Sequence, residues 1–296
     1  MNVIMKRLVL SFLFILSMLS VFSQKVIKIE SGKISKDKLD EATIRCYYKF
    51  SQPIIIDKDS LLQTDTLTLD IGAKASLYYD ASRARRDSVF GDFMANRLDP
   101  NTIQSMTVLK DADASAFDGT SGTTIESGSK GETAQLYKNR QAGEITIIER
   151  ADNSVERYKC VDKITPQWDI TPDTLTVLGY RCQKATTNFR GRTYDAWFTS
   201  DIPVNDGPWK LYGLPGLILK AQDAENIFSF EIIGLEQLNP SVDISMAKSD
   251  YIKANRKDME KLKKKQSGGM VVNVNGGNVT IIQKKNNSES VSLEKE

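Results

Sequence analysis

Gly207 to Ala221 reads G-P-W-K-L-Y-G-L-P-G-L-I-L-K-A, with three glycines, two prolines and one tryptophan in fifteen residues. Glycine reaches positive φ at little cost and proline holds φ near about −65°, so this density prescribes a particular backbone path. Leu214-Pro215-Gly216-Leu217 fits a type II turn, with Pro at the second position and Gly free to take positive φ at the third. The corner then delivers Leu217 to Leu219, an apolar run, into a core.

Outward from this corner the chain is dominated by short alternating segments. They are Ala42 to Phe50, Leu67 to Ile71, Ser76 to Tyr79, Gly143 to Arg150, Ser154 to Val161, Leu175 to Asn188, Tyr194 to Thr199 and Asn226 to Ile233. In the last, Phe228, Phe230 and Ile232 share one face. Alternation of period two, bounded by Gly, Asn, Asp and Pro, is the pattern of half-buried antiparallel strands. Ala151-Asp152-Asn153 and Asn205-Asp206-Gly207 supply turns. No long apolar helical stripe interrupts the strands, which disfavours a parallel βαβ fold. The expected class is mainly β (α+β), a large curved antiparallel sheet or half-barrel followed by a C-terminal helix and β-hairpin.

Two regions depart from the pattern. Residues 83–141 are rich in Ser, Thr, Asp and Gly and read as a mobile, partly structured excursion. Tyr251 to Gln266 places Ile252, Met259 and Leu262 at helical spacing. Met270, Val272 and Val274 then lead through Asn275-Gly276-Gly277-Asn278 to Val279 and Ile281, a two-residue hairpin signal. The last dozen residues are polar and are expected to be disordered. This divides the chain into a leader at 1–23, a β-rich domain at 24–240 and a C-terminal part at 241–296.

Residues 1–23 have a basic start at Lys6 and Arg7, an apolar core from Leu8 to Leu19 and a cleavage site at Val21-Phe22-Ser23. Those are the parts of a secretory signal. The mature chain is therefore expected in the periplasm or at the outer membrane, with no transmembrane segment. Loss of the leader takes the formal charge from +2 to zero, which argues against nucleic acid as a partner. The chain has no histidine, which excludes Ser-His-Asp and Cys-His catalysis and His-liganded zinc. No cofactor and no metal is expected. Of three cysteines, Cys160 and Cys182 end neighbouring strand candidates and are the favoured disulfide, against a reading of three buried thiols. The oligomeric state is not fixed by the sequence.

Gly179-Tyr180-Arg181-Cys182-Gln183-Lys184-Ala185, Arg190-Gly191-Arg192, Ala196-Trp197-Phe198-Thr199, Gly207-Pro208-Trp209-Lys210 and Gly213 to Ile218 together resemble the signature of the GLPGLI family of exported Bacteroidetes proteins. The resemblance extends from about Tyr47 to Ile233. It implies an envelope location and brings no established activity. A second segment, Asp99 to Ala112 with Phe117-Asp118-Gly119 and Gly122, is similar to the plug of TonB-dependent outer-membrane receptors.

Candidate site residues cluster near the corner. Trp197, Trp209 and Tyr212 line a groove or pack a core. Arg190 and Arg192 offer bidentate forks to an anion, or face water along a strand. Lys210 is expected to be solvated. Gly207, Pro208, Gly213, Leu214, Pro215 and Gly216 carry the turn itself. The reading that follows is a non-catalytic envelope binding protein that holds an apolar ligand (an acyl chain or peptide) or docks on an outer-membrane receptor. Its alternatives are an interaction module beside a TonB-dependent transporter, without a pocket, and a carboxylate-dependent enzyme.

Overall fold

The computed structural model describes residues 35–56, 59–97, 101–110, 121–126, 131–150, 156–264, 270–284, 288–290 and 292–295. The leader, the Ala151–Asn153 turn and the Asp111–Gly119 portion of the plug-like segment lie outside the described residues.

The fold is mainly β, as the alternation predicts. In chain order the strands are β1 (Lys36–Ile56), β2 (Asp59–Gly72), β3 (Ala75–Tyr79), β4 (Ser105–Lys110), β5 (Thr123–Glu126), β6 (Gln135–Asn139), β7 (Glu144–Arg150) and β8 (Arg157–Lys163). They continue with β9 (Asp169–Val177), β10 (Tyr180–Phe189), β11 (Arg192–Thr199), β12 (Leu217–Asp223), β13 (Ser229–Ala247), β14 (Ile252–Lys253), β15 (Met270–Asn275), β16 (Asn278–Gln283) and β17 (Ser288–Ser290). Helices α1 (Ala81–Arg97) and α2 (Arg256–Lys264) complete the set.

The main sheet runs β14-β8-β7-β6-β3-β2-β1-β13-β12-β11-β10-β9, with β17 added to β1. Its pairs are antiparallel except β14 with β8. The sheet is open, yet its two halves share one core. Cys160 and Ile147 from one half pack in the same cluster as Cys182, Ala185 and Phe198 from the other. Arg190, between β10 and β11, reaches Asp162 on β8 at 2.5 Å. The sheet therefore bends until strands far apart in its order meet across the core. Alternation fixes which side chains enter: on β11, Arg192, Tyr194, Ala196 and Phe198 are buried, while Trp197 faces outward and is only half-buried.

The concave side is filled by the protein's own aromatic groups. Phe50 stacks on Phe230 at 4.8 Å, and Tyr48, Tyr194 and Phe228 are wholly buried. These rings belong to the one core cluster that the two halves of the sheet share.

Residues 83–141 contain definite structure. Asp80 caps α1, accepting the Arg83 amide on Oδ1 at 2.8 Å. Phe90, Phe93 and Met94 of α1 pack against Val272 and Val279. These valines belong to a second, four-stranded sheet, β4-β16-β15-β5, in which the expected C-terminal hairpin sits between two strands from the 83–141 region. The C-terminal helix is shorter than its apolar spacing implies. Ile252 is taken by β14, and α2 starts after Asn255, whose side chain and that of Asp258 accept each other's backbone amides in a capping box. No helix among the described residues is long and apolar enough to cross a membrane.

Cys46, Cys160 and Cys182 are buried free thiols. The Cys160–Cys182 disulfide is not formed. β8 and β10 have eight strands between them in the sheet, and the two cysteines share only the common core cluster.

A cationic groove beside the glycine-proline corner

The corner is built by backbone bonds that close on themselves. Leu217 N–H donates to Ile202 O at 3.0 Å and Ile218 N–H to Asp206 O at 2.9 Å, tying the start of β12 to the entry of the corner. Gly216 N–H donates to Leu214 O at 2.8 Å, a three-residue γ-turn centred on Pro215 rather than the expected type II turn. The Leu217 amide, which a type II turn would use, is already spent on Ile202. Gly216 lies at φ 156°, and a Cβ there would stand 2.1 Å from Thr199 O. The motif's glycine is thus a close-approach residue.

Beneath the corner is a buried ion network. Lys138 Nζ meets Asp206 Oδ1 at 2.5 Å, both side chains fully buried, and also donates to Gly207 O. Arg140 holds Asp206 Oδ2 at 2.9 Å. Burial opposes the Asp206 charge, but Lys138 and Arg140 keep its carboxyl below the usual range. These groups fix Gly207 in place and are satisfied internally. Arg140 also borders an open cleft of about 840 Å³ shared with Asp40, Glu41, Ile44 and Asn205. Among the described residues no His/Cys/Asp/Glu group is arranged to hold a metal.

The other side of the corner carries the more telling arrangement. Trp209, at φ 50°, packs its ring edge-on against Phe189 and tilted against Tyr194, with centroids 5.8 and 5.9 Å apart. That turns Lys210 inward. Its ammonium, with the side chain 5% exposed, donates to Asp162 Oδ2 at 3.1 Å and to Glu294 Oε1 at 2.5 Å. Arg256, at the start of α2, brings Nε to 3.2 Å from Glu294 Oε2. Arg192 donates from Nη2 to Ser292 O at 2.9 Å and pairs with Asp223 and Glu225, its guanidinium 4.9 Å above the Phe228 ring. Tyr194 Oη donates to Leu293 O at 2.7 Å, and the Lys295 amide donates to Arg190 O at 2.8 Å. Leu293 packs against the main core.

Of the residues singled out from the sequence, Arg190, Arg192 and Trp209 therefore converge on one groove. Tyr212 lies behind it: Oη donates to Ile164 O and meets Thr165, and Tyr212 O accepts from Trp168 Nε1, so it braces the corner. Trp197 is on the outer face, between Lys184 and Lys220. Lys210, expected in solvent, is a buried central cation. Asp162, Arg256 and Glu294 carried no sequence signal as a group. The tail expected to be disordered is docked in this groove at Ser292 to Lys295.

Residues 132–265 match a family described as "N-glycanase peptide, N-terminal domain", a span short of half the chain. Two solved structures of PNGF-II, in space groups P21 and C2, are 15% identical with TM-scores of 0.43. They cover 73% and 74% of this chain and 33% of their own. The chain thus spans about a third of the length of those structures. No curated protein sequence matches it.

Proposed function

We propose that this chain is a non-catalytic binding module of the cell envelope, which docks a partner protein through the groove beside the corner. The observation that carries this is the seat itself. Lys210 and Arg256 close on one carboxylate, while Arg192 and Tyr194 hold the backbone carbonyls of the same extended segment. Cations held in fixed geometry, partly desolvated, recognise carboxylates strongly, and carbonyl contacts select extended backbone. An apolar-ligand role has less support, because the concave face is filled. The leader with the GLPGLI-like corner supports an envelope location. An outer-membrane receptor or a glycoprotein is the kind of partner such a module meets there. A photo-crosslinking residue installed at Arg190 in the exported protein tests the reading. It predicts capture of partner peptides in which an apolar residue precedes an Asp or Glu, dependent on Lys210; capture only of lipid, or capture unchanged by Lys210→Glu, would count against it.

A further inference from the structure

Resting on that reading, we infer that the C-terminal residues 288–290 and 292–295 are a built-in occupant of the docking groove, displaced by a partner segment of the same chemistry: extended, with an apolar residue followed by an acidic one. The segment is held in two recognition modes at once. β17 pairs with β1 at Ile54 to Ile56, where β1 has run past its last partner on β13, at Ser51. That is strand addition to a vacant sheet edge. Beyond β17, Leu293 packs against the core and Glu294 enters the cationic seat, its side chain 8% exposed. Gly191, at φ 74°, allows the close approach: a Cβ there would stand 2.7 Å from Lys295 Cβ.

The occupancy is incomplete. Among the described residues, Arg190 Nε is buried without an acceptor, and Glu294 Oε2 is buried without a hydrogen bond although it pairs electrostatically with Arg256. Buried donors without acceptors are costly, so the seat is better matched by a ligand that supplies one more acceptor, such as a hydroxyl or carbonyl oxygen. Being in the same chain, the tail acts at an effective concentration of order millimolar, enough to exclude weak ligands but not a better one.

The test uses a labelled peptide of the tail's own sequence, Ser-Glu-Ser-Val-Ser-Leu-Glu-Lys, titrated onto three full-length proteins. These are the wild type, Glu294→Arg, which repels the tail from an intact seat, and Lys210→Glu, which removes the seat. The expected result is binding to Glu294→Arg roughly tenfold to a hundredfold tighter than to wild type, and none to Lys210→Glu. Adding excess peptide to wild type should also speed hydrogen exchange at the Lys295 amide, freed from Arg190 O. Equal affinity for wild type and Glu294→Arg, with the Lys295 amide still protected, would overturn the displacement while leaving the groove a binding site. No binding to any of the three, with thermal melts showing all are folded, would overturn the docking function as well.

Discussion

Single residues here carry their weight through space or charge rather than through chemistry on a substrate. Gly216→Ala must push a methyl into Thr199 O, and the neighbouring backbone bonds leave no slack. Denaturant unfolding should record a loss of roughly 2–4 kcal/mol for that one methyl. Glu149 is the opposite kind of case. It is 1% exposed, and burial, with Glu132 nearby, pushes its carboxyl up to about 7 from an ordinary 4.5, against the pull of Lys263. A carboxyl with a higher pKa in the folded chain binds more protons when folded. Its contribution is therefore full below about pH 4.5 and declines as pH rises through 7. Glu149→Gln should stabilise the protein at pH 8 by on the order of 2 kcal/mol and flatten the stability profile between pH 5 and about 8. A melting temperature at pH 8 unchanged by the substitution would refute this.

At the scale of elements, what was legible depended on which neighbours a segment has. Strands with one wet face, such as β7 and β11, announce themselves by alternation. Lys36 to Glu41 of β1 and most of β9 are exposed on both sides and show no alternation; only the pairing ladder makes them strands. α1 was missed because its apolar face is narrow (Phe90, Phe93 and Met94) and packs on Val272 and Val279 of a hairpin almost two hundred residues later. The hairpin itself was readable from its Asn-Gly-Gly-Asn turn. Buried charge at element junctions had no local signal either. Lys138 looks like any strand lysine until Asp206 meets it. Asp206→Asn should cost about 3–5 kcal/mol, because it leaves Lys138 buried without its counter-charge. The double change Lys138→Met with Asp206→Leu should cost clearly less than the two single losses summed. Strict additivity in equilibrium unfolding would contradict the pairing.

Over the whole molecule, the bend of the sheet makes the groove. Arg190, Arg192 and Trp209 were visible as a cluster because a glycine-rich turn and the corner hold them close in sequence. Asp162, Arg256 and Glu294 were not, because they join only when β8, α2 and the tail close around the corner, bringing Lys210 and Glu294, 84 residues apart, into contact. The same bend brings Cys160 and Cys182 into one core cluster as free thiols, although eight strands separate β8 from β10 in the sheet. The account rests on the Lys210–Glu294 contact as the bond between tail and groove. A double-mutant cycle of Lys210→Met and Glu294→Gln, read by denaturant unfolding of the full chain, measures that bond directly. A coupling of about 1–3 kcal/mol is predicted; single losses that add to within about 0.3 kcal/mol would mean that the tail does not sit in the seat.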